Sequence, residues 1–223
     1  LTQSHLYTMA QGKSDMKIDD ITGIVRAMDD PTFLVVRKES EAKTMEDLVA
    51  LSKKRALNFG VAQIGGTEHI GLAQLAKAAG MKFKVVPFGS GGEMLLALRS
   101  GAIDATLPNV SEAANMIADG SIIPLVLLAE KRLGDYPDVR SSYELGYKVK
   151  TSTTRGYAVL ASTPRPIIEA LSKNIVKAMK HEVFGNYLAT AGLSVESSVA
   201  GTDIWDKHLK EEYAKASAAL KEL

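Results

Sequence analysis

The chain has 223 residues, 46% of them hydrophobic and 24% charged, an ordinary globular composition with room for one large domain or two small ones. Its 27 basic and 26 acidic side chains are interspersed and leave a net charge of +1, so the like-charge block of a nucleic-acid binder is missing. Cysteine is absent, which excludes thiol catalysis, Cys-ligated zinc and disulfides and suits a Gram-negative periplasm or a cytosol.

The first stretch, "LTQSHLYTMAQGK", reads as the end of a strand running into a loop, and the expectation is that a signal peptide or a longer segment has been removed from its front. "FLVVR" (33–37) is a strand. "KTMEDLVALSKK" (43–54) is a helix with Thr44 as N-cap and Asp47 three residues on. "LNFGV" (57–61) is the next strand. After it, Leu72, Leu75, Ala76 and Ala79 share one face of a helix that starts at Thr67 and stops at Gly80. The unit repeats: strand 82–88, a glycine loop and helix in "GSGGEMLLALRSG", strand "AIDATL", a helix opened by Asn109-x-x-Glu112, and strand "IIPLVLLAE". Segment 57–129 therefore reads as a β-α-β-α-β-α-β layer with parallel strands.

A turn-rich stretch without clean periodicity comes next, then strand 155–162, a helix entered through Thr163 and Pro164, and an amphipathic last helix from Gly201. The lone strands 33–37 and 155–162 bracket the central layer and are expected to be the crossings between two lobes. That expectation assigns residues 1–37 plus 155–223 to a terminal lobe and 38–154 to a central lobe. The longest apolar run, "IIPLVLLA", is far below the ~20 residues that span a bilayer, so no direct membrane insertion is expected.

Each central strand feeds a small polar loop that caps a helix: "AQIGGTEH", "FGSGGE" and "LPNVSE". Helix N-termini carry free N–H groups and about half a positive charge, so three on one edge form a receptor for a small anion. Glycines 65, 66 and 91 let the backbone approach, while Thr67, His69, Ser90, Asn109 and Ser111 add side-chain groups. As caps, Thr67, Asn109 and Ser111 can equally serve only their own helices. Glu68 is expected to point away from a carboxylate or to meet an amino or hydroxyl group. Arg155, at the expected crossing, can clamp a carboxylate bidentately or form a salt bridge.

Catalytic motifs fail. Met94 stands where a third dinucleotide-loop glycine belongs, and Phe88 where a nucleophile elbow needs glycine around Ser90. The P-loop is missing, and His5, His69, His181 and His208 have no metal-ligand spacing. Asp104, in a Gly-x-x-Asp turn, suits strand-end hydrogen bonding. The residues describe a binding site without chemistry: no enzyme, no cofactor, no metal.

The segments "DDITGIVRAMDDPTFLVVRKESEAKTMEDLV", "GGTEHIGLAQLAKAAG", "VVPFGSGGEMLLALRSGAIDATLPNVSE" and "TRGYAVLASTP" resemble, in order and spacing, the solute receptors of tripartite tricarboxylate transporters, the Bug proteins. The resemblance implies a two-lobed, type II periplasmic-binding-protein fold, each lobe a sheet flanked by helices, with the ligand between the lobes. It implies capture of a small, citrate-like di- or tricarboxylate and delivery to a membrane permease from the periplasm. Mapped by that resemblance, Gly65 to His69, Ser90 to Gly92 and Asn109 to Ser111 hold one carboxylate end. Ser4 falls in a second ligand loop and Arg155 on the matching wall. Such receptors begin with a strand and a "Pro-x-Gly-Gly-x-x-Asp" loop upstream of the first residue here, which implies a chain shortened at its front. The same architecture also serves effector-binding domains of cytosolic transcription regulators, and that alternative stays open at this point.

Overall fold

The computed structural model describes residues 1–62 and 64–221, the side chains of residues 4 and 219–221 excepted. In chain order it opens with helix α1 (Gln3–Ala10), a 3₁₀ turn at Ile18–Asp20 and strand β1 (Ile21–Pro31). Next come β2 (Phe33–Arg37), α2 (Met45–Lys54), β3 (Leu57–Val61), α3 (Thr67–Ala79) and β4 (Phe83–Pro87). They are succeeded by α4 (Gly91–Ser100), β5 (Ala105–Thr106), α5 (Val110–Ala118) and β6 (Ile122–Leu127). The chain finishes with β7 (Ser152–Leu160), α6 (Arg165–Met179), α7 (Glu182–Thr190), α8 (Val195–Ser198), β8 (Ala200–Gly201) and α9 (Thr202–Lys221).

Two compact units result: a terminal unit of residues 1–29 and 153–223, and a central unit of residues 30–152. The expected boundary after Arg37 therefore moves upstream. Strand β2 is not a crossing. Its run "FLVV" is wholly buried, and it lies inside the central sheet, paired antiparallel with β5 and β6. A continuous apolar run is what a strand covered on both faces requires. The strand that enters the central unit is β1, whose interspersed Thr22, Gly23, Arg26 and Asp29 hide its β character from a periodicity reading.

The central sheet has the order β4-β3-β5-β2-β6. Strands β4, β3 and β5 are mutually parallel, with Phe59 opposite both Val85 and Ala105. Around them lies the larger core, built on Leu34, Val36, Met45, Leu48, Phe59, Leu72, Leu75 and Val126. Helix α2 starts as its sequence says: the Asp47 N–H donates to Thr44 Oγ1 at 3.1 Å, and the Thr44 N–H donates back to the Asp47 carboxylate at 3.0 Å. Gly80 and Gly101 close α3 and α4 in the left-handed conformation, at φ 66° and 81°. Asp104 secures the start of β3, accepting from the Asn58 N–H at 2.8 Å while Arg55 grips both its oxygens at 2.6 and 2.8 Å.

The terminal unit is built on a three-stranded sheet, β7-β1-β8. The opening stretch, expected to leave a strand, is helix α1. Thr2 caps it, with the Thr2 N–H donating to His5 Nδ1 at 3.2 Å. Leu6 and Met9, three residues apart, bury one face with Trp205 and Leu209 of α9. That spacing is the helical signal which the short window disguises. Trp205 donates from Nε1 to the Tyr157 carbonyl at 3.1 Å and packs where Gly23 and Gly156 carry no side chain.

His208 stacks on Trp205 with ring centroids 5.5 Å apart, and its Nε2 is buried without a hydrogen-bond partner among the described residues. Burial lowers its pKa; Glu212 and Asp29 pull the other way, and Arg26 and Lys215 reinforce the lowering.

The packing around Trp205 is open to two tests. A Cβ at Gly156 would collide with the Val25 carbonyl and stand 2.7 Å from Trp205 Cε2, so Gly156→Ala should cost about 1–3 kcal/mol, read as a lower urea midpoint at unchanged slope. Because the folded-state pKa of His208 lies below that of a free imidazole, the unfolded chain takes the proton first on acidification. Stability should hold above the ordinary histidine range and fall as pH drops through it, from about 7.5 to about 5.5. In His208→Phe, which keeps the stacked ring, that part of the slope should vanish from urea titrations.

Candidate ligand-binding site

Parallel strands end on the same side, so β4, β3 and β5 deliver the loops into α4, α3 and α5 to one edge of the central sheet. The first turns of α4 and α5 lie against one another. Glu112, in the first turn of α5, places Oε1 2.8 Å from where a Cβ of Gly91 would stand on α4. Its charge also reaches Glu68 on α3. Residues 65–69, 90–92 and 109–111 therefore share an edge of the central unit.

The α3 end is the most open of the three. Gly65 takes φ 77°, a conformation that favours glycine, and Gly66 is the N-cap with no side-chain cap bond. The cap thus sits one residue before the expected Thr67. Ile70 is the first residue to bond backward, to the Gly66 carbonyl at 3.0 Å. The N–H groups of residues 67–69 have no acceptor in the preceding turn. Thr67 Oγ1 has no hydrogen-bond partner among the described residues. The Gly65 N–H donates to His69 Nδ1 at 2.9 Å, which fixes Nδ1 as acceptor and leaves Nε2 as the donor of a neutral ring.

At α4, the Glu93 N–H donates to Ser90 Oγ at 3.3 Å, and the Glu93 carboxylate accepts from the Gly89 N–H at 3.0 Å. Ser90 is engaged as a cap, while the backbone N–H groups of Gly91 and Gly92 lie in the open first turn.

The α5 end is different. Asp30, 1% exposed, accepts from the Ser111 N–H at 3.2 Å and the Ser111 hydroxyl at 2.5 Å. Asn109 Nδ2 donates to the Asp30 carbonyl at 2.5 Å, and the Asn109 N–H donates to the Glu112 carboxylate at 3.2 Å. Asn109 and Ser111 are thus held by the chain's own acid. Asp30 escapes a reading of the sequence; its signal is an acid in "DDP", directly before the buried strand β2.

Carboxylates flank the edge. Burial raises the pKa of Glu68, its own N–H lowers it, and the Glu112 charge raises it again. Glu68 is half-buried. Among the described residues no group of three or more His, Asp or Glu side chains could hold a metal ion.

Two expected residues belong to the terminal unit. Arg155 is exposed on β7, with Nη1 2.9 Å from Met28 Sδ and no carboxylate partner among the described residues. Ser4 lies in the first turn of α1, and its side chain is outside the described residues.

An α/β chain of two units, with helix ends gathered on a parallel edge, is built as a periplasmic-binding-protein fold. The crystal structure of a TctC solute-binding protein from Polaromonas has this fold, at TM-score 0.91 and 22% identity, with 100% of this chain and 77% of that one covered. MatC from Rhodopseudomonas palustris, solved with bound malate, gives TM-score 0.75 at 21% identity over 97% of this chain and 76% of its own. The profile described as the tripartite tricarboxylate transporter family receptor, TctC, matches residues 2–223. The chain belongs to that family of solute receptors. Among curated relatives, a UPF0065 protein from the TAR-I ttuE-ttuC' intergenic region of Agrobacterium vitis is 27% identical over 209 residues, 92% of this chain. The match spans 60% of that relative's length.

The half-buried Glu68 yields a test. With its folded-state pKa raised, the ionised carboxylate opposes folding above that pKa, and the cost disappears as the group protonates on acidification. Glu68→Gln should melt above the wild type at neutral pH and level with it at about pH 4, in thermal scans across that range.

Proposed function

We propose that the protein is a periplasmic receptor that captures a small di- or tricarboxylate and hands it to the permease of a tripartite transporter. The observation that carries this reading is the α3 end. It combines first-turn N–H groups at residues 67–69 that have no acceptor within the helix, a Thr67 hydroxyl unpartnered among the described residues, and a His69 Nε2–H donor beside Gly65 and Gly66. Such donors suit an acid group, since hydrogen bonds to charged acceptors are about twice as strong as neutral ones. Ser90 and Gly91 extend the same edge through α4. On this reading Arg155 supplies the cationic contact and Ser4 a further polar one, as the family resemblance implies. Membership of the receptor family and the malate held by MatC support the ligand class.

A thermal-shift panel of citrate, tricarballylate, succinate, malate, glutamate and aromatic acids tests the reading on the full product of the gene. A binding acid at 100 times its dissociation constant should add about 2.7 kcal/mol of stability. A flat response throughout would sink it. Arg155→Ala should weaken the best acid by about 1.5–3 kcal/mol, because a charge-assisted contact is lost. The loss for Thr67→Ala, one hydroxyl donor, should stay near 1 kcal/mol. Equal calorimetric affinities for wild type and Arg155→Ala would make the arginine structural.

A further inference from the structure

The terminal unit sets one buried ionisable ring beside the polar contacts that hold α1. Gln3, in the first turn of α1 and 6% exposed, accepts from the Thr154 N–H of β7 at 3.1 Å. Its amide donates to the Glu212 carboxylate of α9 at 3.2 Å. Gln3 therefore ties α1 to a strand and a helix at once. His208 lies one turn before Glu212, so the two side chains share a face of α9. The ring stacks on Trp205 at an interplanar angle of 19°, and its buried Nε2 has no partner among the described residues.

The charges that act on the ring are Asp29 and Arg26 of β1 and Glu212 and Lys215 of α9. Asp29 is already paired with Arg26 at 2.6 Å, and Arg26 is held in turn by the Ser197 and Ser198 carbonyls. Glu212 is less committed: Lys215 takes Oε1 at 2.6 Å, while Oε2 receives the neutral Gln3 amide. A neutral imidazole makes no claim on either carboxylate. A charged one does, because a buried cation persists only where an acceptor replaces its lost water. For that acceptor, a charge-assisted N–H outcompetes a neutral amide.

We propose that His208 is a proton-operated latch on α1: protonation draws the Glu212 carboxylate to the ring and away from Gln3, freeing the end of the helix that carries Ser4. Loss of the proton returns the carboxylate to Gln3. The face of Trp205 attracts a cation within about 6 Å, so the charged ring keeps its stacked place while Glu212 turns. Leu6 and Met9 retain their apolar contacts with Trp205 and Leu209 throughout. Acid thus loosens the start of α1 before it loosens the unit. The latch needs no ligand and stands apart from the receptor reading.

Hydrogen exchange of the full gene product decides the proposal, read on a peptide covering α1 and corrected for the intrinsic pH dependence of exchange. Between about pH 7.5 and about pH 5.5, wild-type protection of α1 should fall about tenfold, in step with the His208 ring resonances followed by NMR. In His208→Phe, which keeps the stacked ring and takes no proton, protection should stay flat over that range. In Glu212→Gln an acceptor remains for Gln3 while the charged ring loses its carboxylate. Protection should again stay flat, and the His208 titration should move to lower pH. A wild-type α1 that stays protected while His208 titrates overturns the latch, and so does an acid-induced loss that persists in either variant. If His208→Phe does not fold, Glu212→Gln decides alone.

Discussion

The parallel pairing of β4, β3 and β5 is the constraint on which the rest depends. Phe59 faces Val85 on one side and Ala105 on the other, so the three strands run in step and their carboxyl ends come level. The segment after each strand must then start from the same edge. In every case that segment leads into a helix, and a helix begins with N–H groups that have no partner within it. The concentration of donors is therefore a result of topology. No single residue in the three loops is needed to create it, although particular residues decide what the donors face.

Those residues divide the edge unequally. At α5 the chain supplies its own acid through Asp30, and at α4 Glu93 folds back to the Gly89 N–H. At α3 the cap is a glycine, whose missing side chain leaves the first turn unsatisfied from within. The distinction comes from cap chemistry: an Asn, Ser or Asp cap competes with any visitor for the first-turn N–H groups, whereas glycine does not. His69 extends the open end outward, held by a backbone N–H that costs no side-chain entropy to present. Rigid donors of this kind bind without first having to be ordered. An edge with three equally open ends would recognise charge in general. Ends loaded unequally recognise charge at a place.

Much of the central unit can be read from the residues. The Thr44 and Asn109 boxes, the closing glycines at 80 and 101 and the 3.6-residue spacing of Leu72, Leu75 and Ala76 are local signals, and local structure obeys them. Long-range placement is less legible. "FLVVR" reads as a strand, but nothing local says that it lies antiparallel between β5 and β6. Strand β1 is hidden because Arg26 and Asp29 interrupt its apolar run, and both are satisfied in the fold by partners remote or adjacent: Arg26 by the Ser197 and Ser198 carbonyls, Asp29 by Arg26 itself. The candidate site shows the same division. Glycines and caps mark the three loops, while the occupant of one of them, Asp30, stands 81 residues from Ser111 and carries no motif.

Asp29 and Asp30 show how little of this is composition. They are identical neighbours, and the chain leaves the terminal unit between them. Asp29, partly exposed, pairs with Arg26 at 2.6 Å three residues earlier. Asp30 is buried and spends its oxygens on Ser111. That pair keeps some contact with water, which can still serve part of each charge. A buried carboxylate stripped of its donors costs far more than the bond it made. The same side chain thus pairs with a near neighbour in sequence at one position and is bound into the central unit at the next. What separates them is only which helix end the fold brings within reach.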